Sequence, residues 1–243
     1  MPQNVFVDEI ARRYDASCAP QFDATLLDAT VEFLADLAHR GSALEFAIGT
    51  GRVALPLAER EIDVRGIDIS EDMLAELRAK PHGADIPVTI GDMASTRVPG
   101  TFTLVYLVFN TVSNLLTQAE QVACFRNAAA HLEPGGCFVI ELGIPQLRQM
   151  APGASAHPFS VTDEHLGIDT YDFAEQRMVS HHYWFDGEHT TRFDSHHRYA
   201  WPAELDLMAQ LAGMQLRERW ENWGRSPFTG ESPQHVSVWD LPA

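Results

Sequence analysis

Residues 44–56 read LEFAIGTGRVALP, an apolar strand-like run that breaks at Gly49-Thr50-Gly51 and resumes with helical spacing. Glycines leaving a strand permit a tight turn and let the backbone close on a ligand. A helix and a strand later, RGIDIS (65–70) ends an apolar run on Asp68, whose carboxylate can accept hydrogen bonds from both hydroxyls of a ribose. A nucleoside is the ligand this pair of motifs predicts. Gly49 to Ala54 also fits the G-x-G-x-x-G/A pattern of dinucleotide enzymes, so the turn alone leaves the cofactor open.

Outward from this segment, apolar runs alternate with helical ones. Strands are expected over 43–47, 64–67, 86–90, 102–109 and 137–142, and helices over 52–60, 71–80 and 118–132. Short strands buried on both faces and separated by helices specify a parallel sheet with right-handed crossovers. Two further helices, over 5–16 and 25–39, open the chain, and Gly41 stops the second.

After Leu142 the rhythm changes. Pro145, Pro152, Gly153 and Pro158 mark a loop, and 178–185 and 189–199 then alternate with period two around Asp186-Gly187, a favoured hairpin turn. A helix restarts at Pro202 and ends before Gly213, and strands over 215–220 and 235–239 close the chain. The expected fold is α/β: a doubly wound, seven-stranded, mainly parallel sheet with N-terminal helices and an antiparallel β insertion before the last helix. The expected organisation is one domain over 1–243. Within it lie a helical lid (1–40), a cofactor-binding core (41–143), a β-rich cap (144–201), and the final helix with two strands (202–243).

With 243 residues and 45% hydrophobic content, the chain can bury a full core. A formal net charge of −17 repels phosphate backbones and anionic lipid, which argues against nucleic acid or membrane partners. A small neutral or cationic ligand suits that field. The first dozen residues hold no apolar run of signal-peptide length, and Cys18, Cys124 and Cys137 are too scattered for a disulfide framework. A cytoplasmic protein without a metal site is expected.

Further motifs separate the two cofactor readings. Glu45 lies four residues before Gly49, GDM (91–93) closes the third strand, and LEPGGCFVIE (132–141) leads into the fifth. Together with Asp68 these resemble class I S-adenosylmethionine-dependent methyltransferases of the small-molecule type, over roughly residues 40–143. The resemblance implies that the backbone at Ala47, Gly49 and Gly51 lines the methionine part of the cofactor, and that Glu45, Thr50 and Met73 also belong to the cofactor site. It further implies that Asp68 holds the ribose, that Ile69 and Met93 flank the adenine, and that Asp92 reaches its amine. Phe109 and Asn110 would face the transferring methyl, with S-adenosylhomocysteine left as product. Ala47 departs from the glycine usual in that family. Tyr14, in RRYDASCAP (12–20), resembles the N-terminal tyrosine that closes a lid in several such enzymes.

The transfer itself is an in-line displacement on a sulfonium methyl, so positioning supplies much of the rate. Around an Asp186-Gly187 turn, His182, Trp184, His189, Thr191, Phe193, His197 and Tyr199 share one face; His181, Tyr183, Phe185, Thr190, Arg192 and His196 share the other. The first face is either a substrate pocket in which His182 or His197 acts as a base, with Asn110 a further catalytic candidate, or a set of cap residues satisfied by their neighbours. FNTVSN (109–114) lacks the Asn/Asp-Pro-Pro-aromatic arrangement used on nucleobases, which leaves a small amine, an amino sugar or a natural-product hydroxyl. The insertion resembles that of amino-sugar N-methyltransferases, which implies a homodimer through it. Two alternatives stand beside this reading: an NAD-type oxidoreductase, and a regulatory protein that binds the cofactor without turnover.

Overall fold

The computed structural model describes residues 6–187 and 189–243. Helices α1 (Asp8–Ser17) and α2 (Ala24–Ala38), joined by a 3-10 turn (Ala19–Phe22), precede the sheet. The sheet strands are β1 (Ser42–Phe46), β2 (Asp63–Asp68), β3 (Val88–Ile90), β4 (Phe102–Leu107) and β5 (Leu132–Gly143), connected through α3 (Ala54–Ala58), α4 (Glu71–Ala79) and α5 (Gln118–Ala129). A separate four-stranded antiparallel sheet follows: β6 (Ala156–Val161), β7 (His165–Asp172), β8 (Arg177–Asp186) and β9 (His189–Arg198). Helix α6 (Pro202–Leu211), β10 (Gln215–Trp220) and β11 (Gln234–Asp240) complete the chain.

The main sheet has seven strands in the order β10-β11-β5-β4-β1-β2-β3, with β11 antiparallel to both of its neighbours and the other pairings parallel. The strand order reverses between β1 and β4, and the loops leaving their C-terminal ends therefore diverge and open a crevice there. Two apolar layers hold the sheet. Leu34, Leu37, Leu57, Leu74 and Val139 pack on one face; Phe46, Phe125, Phe138, Leu205 and Trp239 pack on the other. Phe138 stacks edge-on against Phe125 at 5.2 Å and lies 6.3 Å from Trp239 and from Phe46, so this ring joins three elements.

Local signals set the helix starts. Asp23 accepts the Leu26 N–H at the head of α2, Ser70 accepts that of Met73 at α4, and Thr117 with Glu120 forms a full capping box at α5. Helix α3 is shorter than the 52–60 expected, because Arg52 and Val53 remain in the turn after Gly51. Strand β4 stops at Leu107 instead of 109, since Phe109 (φ 54°) and Asn110 (φ 61°) both turn left-handed.

The insertion holds four strands where sequence pattern indicated two. Pro158 and Gly167 mask β6 and β7: proline is tolerated because β6 is an edge strand, and Gly167 lies beneath the Phe159 ring, which a Cβ would meet at 2.3 Å. Asp186 pairs with His189, which leaves Gly187 (φ 59°) in the turn and corrects the expected Asp186-Gly187 turn. The register moves by two residues, an even step, so His182, Trp184, Thr191, Phe193 and His197 keep a common face. No helix among the described residues is long and apolar enough to cross a membrane.

Removing the Phe138 ring leaves a cavity between β5, α5 and β11. Phe138→Ala is expected to cost about 3–5 kcal/mol in a denaturant titration; a loss below about 1 kcal/mol would mean that this layer does not hold the sheet together.

Candidate active site

The crevice at the β1/β4 switch is lined by residues from six parts of the chain and holds about 1210 Å³ of space counted out through its open mouth. Its floor is the turn after β1. Ala47 (φ 52°), Gly49 (φ 57°) and Gly51 (φ 77°) are all left-handed. Ala47 holds that conformation at a cost of roughly 1–2 kcal/mol for its Cβ. At Gly51 a side chain would be strained by the left-handed backbone and would press on the Leu77 side chain, which a Cβ would meet at 2.3 Å.

Asp68 fastens this turn. One carboxylate oxygen accepts the Gly49 N–H at 2.7 Å and the other accepts the Ser70 N–H at 2.8 Å. Burial pushes its carboxyl up, while backbone hydrogen bonds from Ser70, Gly49 and Ile69 oppose the shift. Three donors on two carboxylate oxygens leave acceptor capacity for a ligand. Ile69, Met73 and Met93 form an apolar slot beside Asp68. Asp92 borders the slot and caps its own turn by accepting the Ala94 N–H at 2.8 Å.

Glu45 lies at the back of the crevice, 3% exposed, and accepts the Tyr106 hydroxyl at 2.9 Å. Burial raises its carboxyl to about 8, only partly offset by the Tyr106 hydrogen bond and the Arg52 charge. Arg52 also lines the crevice, with its guanidinium 5.7 Å over the Phe109 ring and an N–H donated to the Gln21 carbonyl at 3.1 Å.

The N-terminal elements cover one side. Asp15 accepts the Thr50 hydroxyl at 2.6 Å and pairs with Lys80 at 2.5 Å, and Lys80 donates to the Thr50 carbonyl. Helix α1 is thereby tied to the middle of the glycine turn. Tyr14 and Phe6 line the crevice and meet edge-on at 5.7 Å; burial pushes the Tyr14 phenol well up. On the opposite side, Phe109 is held by the buried Glu141 carboxylate. That group accepts the Phe109 N–H at 2.8 Å and the Trp223 indole N–H at 2.9 Å.

Of the residues singled out from sequence, Tyr14, Glu45, Ala47, Gly49, Asp68, Ile69, Met73, Asp92, Met93 and Phe109 line one crevice. Thr50 and Gly51 sit behind it. Asn110 is exposed, and its side chain accepts the Gly143 N–H at 2.6 Å instead of facing the crevice. His182 lies away from it, within 3.1 Å of His165. His197 stops one residue short: its Nε2 is 2.8 Å from the Ser195 hydroxyl, and Ser195 lines the crevice with His196. Burial, followed by the charges of His182 and His196, lowers His197 to about 4, which keeps it neutral.

Sequence reasoning missed Arg52, Thr111, Asn114, Ser195 and His196 as lining residues. Arg52 was findable, since it is the residue directly after the glycine turn. Ser195 carried no signal, because the docking of β9 on the 3-10 turn Thr111–Asn114 is a tertiary fact.

A family profile described as a methyltransferase domain matches residues 43–136. The CcbJ methyltransferase of Streptomyces caelestis is similar in structure, with a TM-score of 0.84 and 35% identity over 97% of both chains. The cypemycin N-terminal methyltransferase of a Streptomyces species is 28% identical over 81% of this chain and 82% of its own. A dTDP-3-amino-3,4,6-trideoxy-alpha-D-glucopyranose N,N-dimethyltransferase of Streptomyces venezuelae is 36% identical over 41% of each chain.

The shift at Glu45 has a consequence for stability. Its folded value, about 8, lies above its ordinary value of 4.5, so the folded state retains a proton that the unfolded state releases between those pH values. Stability contributed by Glu45 is full below pH 4.5 and is lost as pH rises through 8, by at most about 1.4 kcal/mol per pH unit. Glu45→Gln is expected to remove that decline in denaturant titrations of the ligand-free protein from pH 5 to 8.5. An unchanged slope would show that Glu45 is ionised throughout.

Proposed function

Because the chain belongs to the class I S-adenosylmethionine-dependent methyltransferases, we propose that it methylates the nitrogen of a small amine, binding its cofactor across the glycine turn and its acceptor under β9. The observation that carries this reading is the Asp68 carboxylate. It faces the crevice between the glycine turn and the apolar slot, with acceptor capacity left for a ribose hydroxyl.

The residues present suit the cofactor. Left-handed Ala47 and Gly49 bare their backbone to the methionine part, and Glu45 and Tyr14 stand beside it. Ile69, Met73 and Met93 make a slot of adenine character, with Asp92 as an acceptor for its exocyclic amine. When bound, S-adenosylmethionine supplies a sulfonium methyl that a nitrogen lone pair displaces in line. The protein's task is alignment and exclusion of water. Phe109, fixed by Glu141, forms the wall at the reacting end.

Support for an amine comes from the relatives. The cypemycin enzyme is named for an N-terminus and the Streptomyces venezuelae enzyme for an amino-sugar nitrogen. The crevice is consistent with this, since three of its lining residues are carboxylic acids and the chain as a whole is strongly acidic. Ser195 can accept a hydrogen bond from the acceptor's N–H, with neutral His197 holding the hydroxyl; His197 then acts as a positioning residue. Neither His182 nor Asn110 is among the residues that line the crevice. The relatives are methyltransferases by name, which disfavours the NAD-type alternative.

Trp184 and Phe185 are 46% and 39% exposed on opposite faces of the insertion, and we include a homodimer through this sheet in the proposal. Sedimentation equilibrium is expected to give a dimer that Trp184→Ser weakens; a monomer at micromolar concentration would remove it.

The function is tested by calorimetric titration with S-adenosylhomocysteine, with NAD and NADP in parallel. The thioether alone should bind, and Asp68→Ala should weaken it by about tenfold or more. Binding of NAD, or an unchanged Asp68→Ala affinity, would overturn the cofactor assignment. His197→Ala is expected to keep that affinity while turnover of an amine found by methyl-label screening falls; unaffected turnover would return His197 to a cap residue.

A further inference from the structure

A second, polar pocket opens beside the acceptor end of the crevice and holds about 620 Å³ counted out through its mouth. Leu116 lines both spaces, and two stretches of chain run from one to the other. Strand β9 places Ser195 and His196 in the crevice and Arg198 in the pocket. The segment after β4 places Asn114 in the crevice and Thr117 and Gln118 in the pocket. Three residues of extended strand separate Ser195 from Arg198, about 10 Å.

Arg177 and Arg198 both line the pocket and stand directly opposite each other across β8 and β9. Like charges facing across two strands repel, so this pairing costs stability unless a negative group answers it. Arg198 is 5% exposed and already answered: its Nη2 donates to Glu204 at 2.7 Å and to Gln176 at 3.1 Å, and its Nη1 donates to Gln121. Glu204 also accepts from Gln118 and Gln176, each at 2.9 Å, so its carboxylate is taken up. Arg177 is exposed and forms no ion pair with a described residue. Its other cross-strand neighbour, Asp172, turns an oxygen into the β7–β8 turn, where it accepts the Ala174 and Glu175 N–H groups at 3.0 and 3.1 Å. Glu175 is the one carboxylate among the described lining residues, against the two guanidinium groups. Helix α5 opens at this wall, with Thr117 as its cap, and adds the positive end of its dipole.

We propose that this pocket binds an anionic group, carboxylate or phosphate, and that the group belongs to the acceptor, which carries it about 10 Å from the nitrogen that is methylated. The proposal rests on the acceptor end placed under β9 in the proposed function. An arginine fork matches either anion through paired N–H donors. The acid acts as a remote anchor: held in the second pocket, it fixes the distance and direction from which the amine enters the crevice. A free α-amino acid, whose nitrogen and carboxylate share one carbon, is too short to span the two spaces. On a strongly acidic chain the pocket is also a local exception, since the surrounding field repels anions elsewhere.

The test is calorimetric titration of the protein loaded with S-adenosylhomocysteine. The probes are inorganic phosphate, straight-chain aminoalkyl phosphates of increasing length, and the matching uncharged amino alcohols. Phosphate should bind the wild type and bind Arg177→Gln on the order of tenfold more weakly. Arg177 is exposed, so this variant should keep the wild-type affinity for S-adenosylhomocysteine, which also reports that it folds. The aminoalkyl phosphates should bind best where nitrogen and phosphorus stand about 10 Å apart. There they should exceed the matching amino alcohol by on the order of tenfold, a preference that Arg177→Gln removes. No phosphate binding, or equal binding by Arg177→Gln, would overturn the site. Phosphate binding that depends on Arg177, with no preference for the tethered amines at any length, would identify a free anion as the ligand and overturn the acceptor assignment. Phosphate titration without the thioether tests the pocket by itself, so failure of S-adenosylhomocysteine to bind would overturn the cofactor reading and be distinguishable from failure of the pocket.

Discussion

The Asp68 carboxylate is the point on which the crevice depends. It is a buried acid whose two oxygens hold two different turns, the one leaving β1 and the one leaving β2. Without it, the Gly49 N–H would face a buried space unpaired, at a cost of about 1–3 kcal/mol, and the two turns would lose their common anchor. The left-handed backbone at Ala47 and Gly49 is sustained by this contact and by the Lys80 and Asp15 groups fastened to Thr50. Strain stored in the turn is therefore offset by contacts from three elements outside it.

A second over-determined turn faces the first. Phe109 and Asn110 are consecutive left-handed residues, an unfavourable arrangement for a bulky side chain. Glu141, Trp223 and the Asn110 contact to Gly143 hold them. Both walls of the crevice are thus built from backbone that the rest of the fold forces into shape. Such an arrangement suits a displacement reaction, in which alignment of two partners matters more than the strength of any one acid or base.

Most of the cofactor-side residues were legible in the chain because they are local. A glycine turn after an apolar strand, an acid closing the next strand and a GDM closing the third each occupy a few consecutive residues. The parallel topology then brings strand ends together at one edge. Asn110 and His182 were misjudged because neighbourhood in sequence does not give direction: Asn110 follows a residue that already turns left-handed, and His182 lies on β8, one strand in from the β9 edge that reaches the crevice. The four-stranded insertion was half legible, since Pro158 and Gly167 erase the alternating pattern of β6 and β7.

The sequence by itself determined the seven strands, their alternation with helices, the glycine turn and the acid that faces it. These depend on periodicity and on backbone preferences that act over short spans. Tertiary structure alone decided that Arg52 faces the crevice beneath the N-terminal elements, that Ser195 and not His197 reaches it, and that Glu141 fixes Phe109. Those facts depend on how one sheet docks on another and on pairings across 32 to 82 residues, and no local preference encodes them.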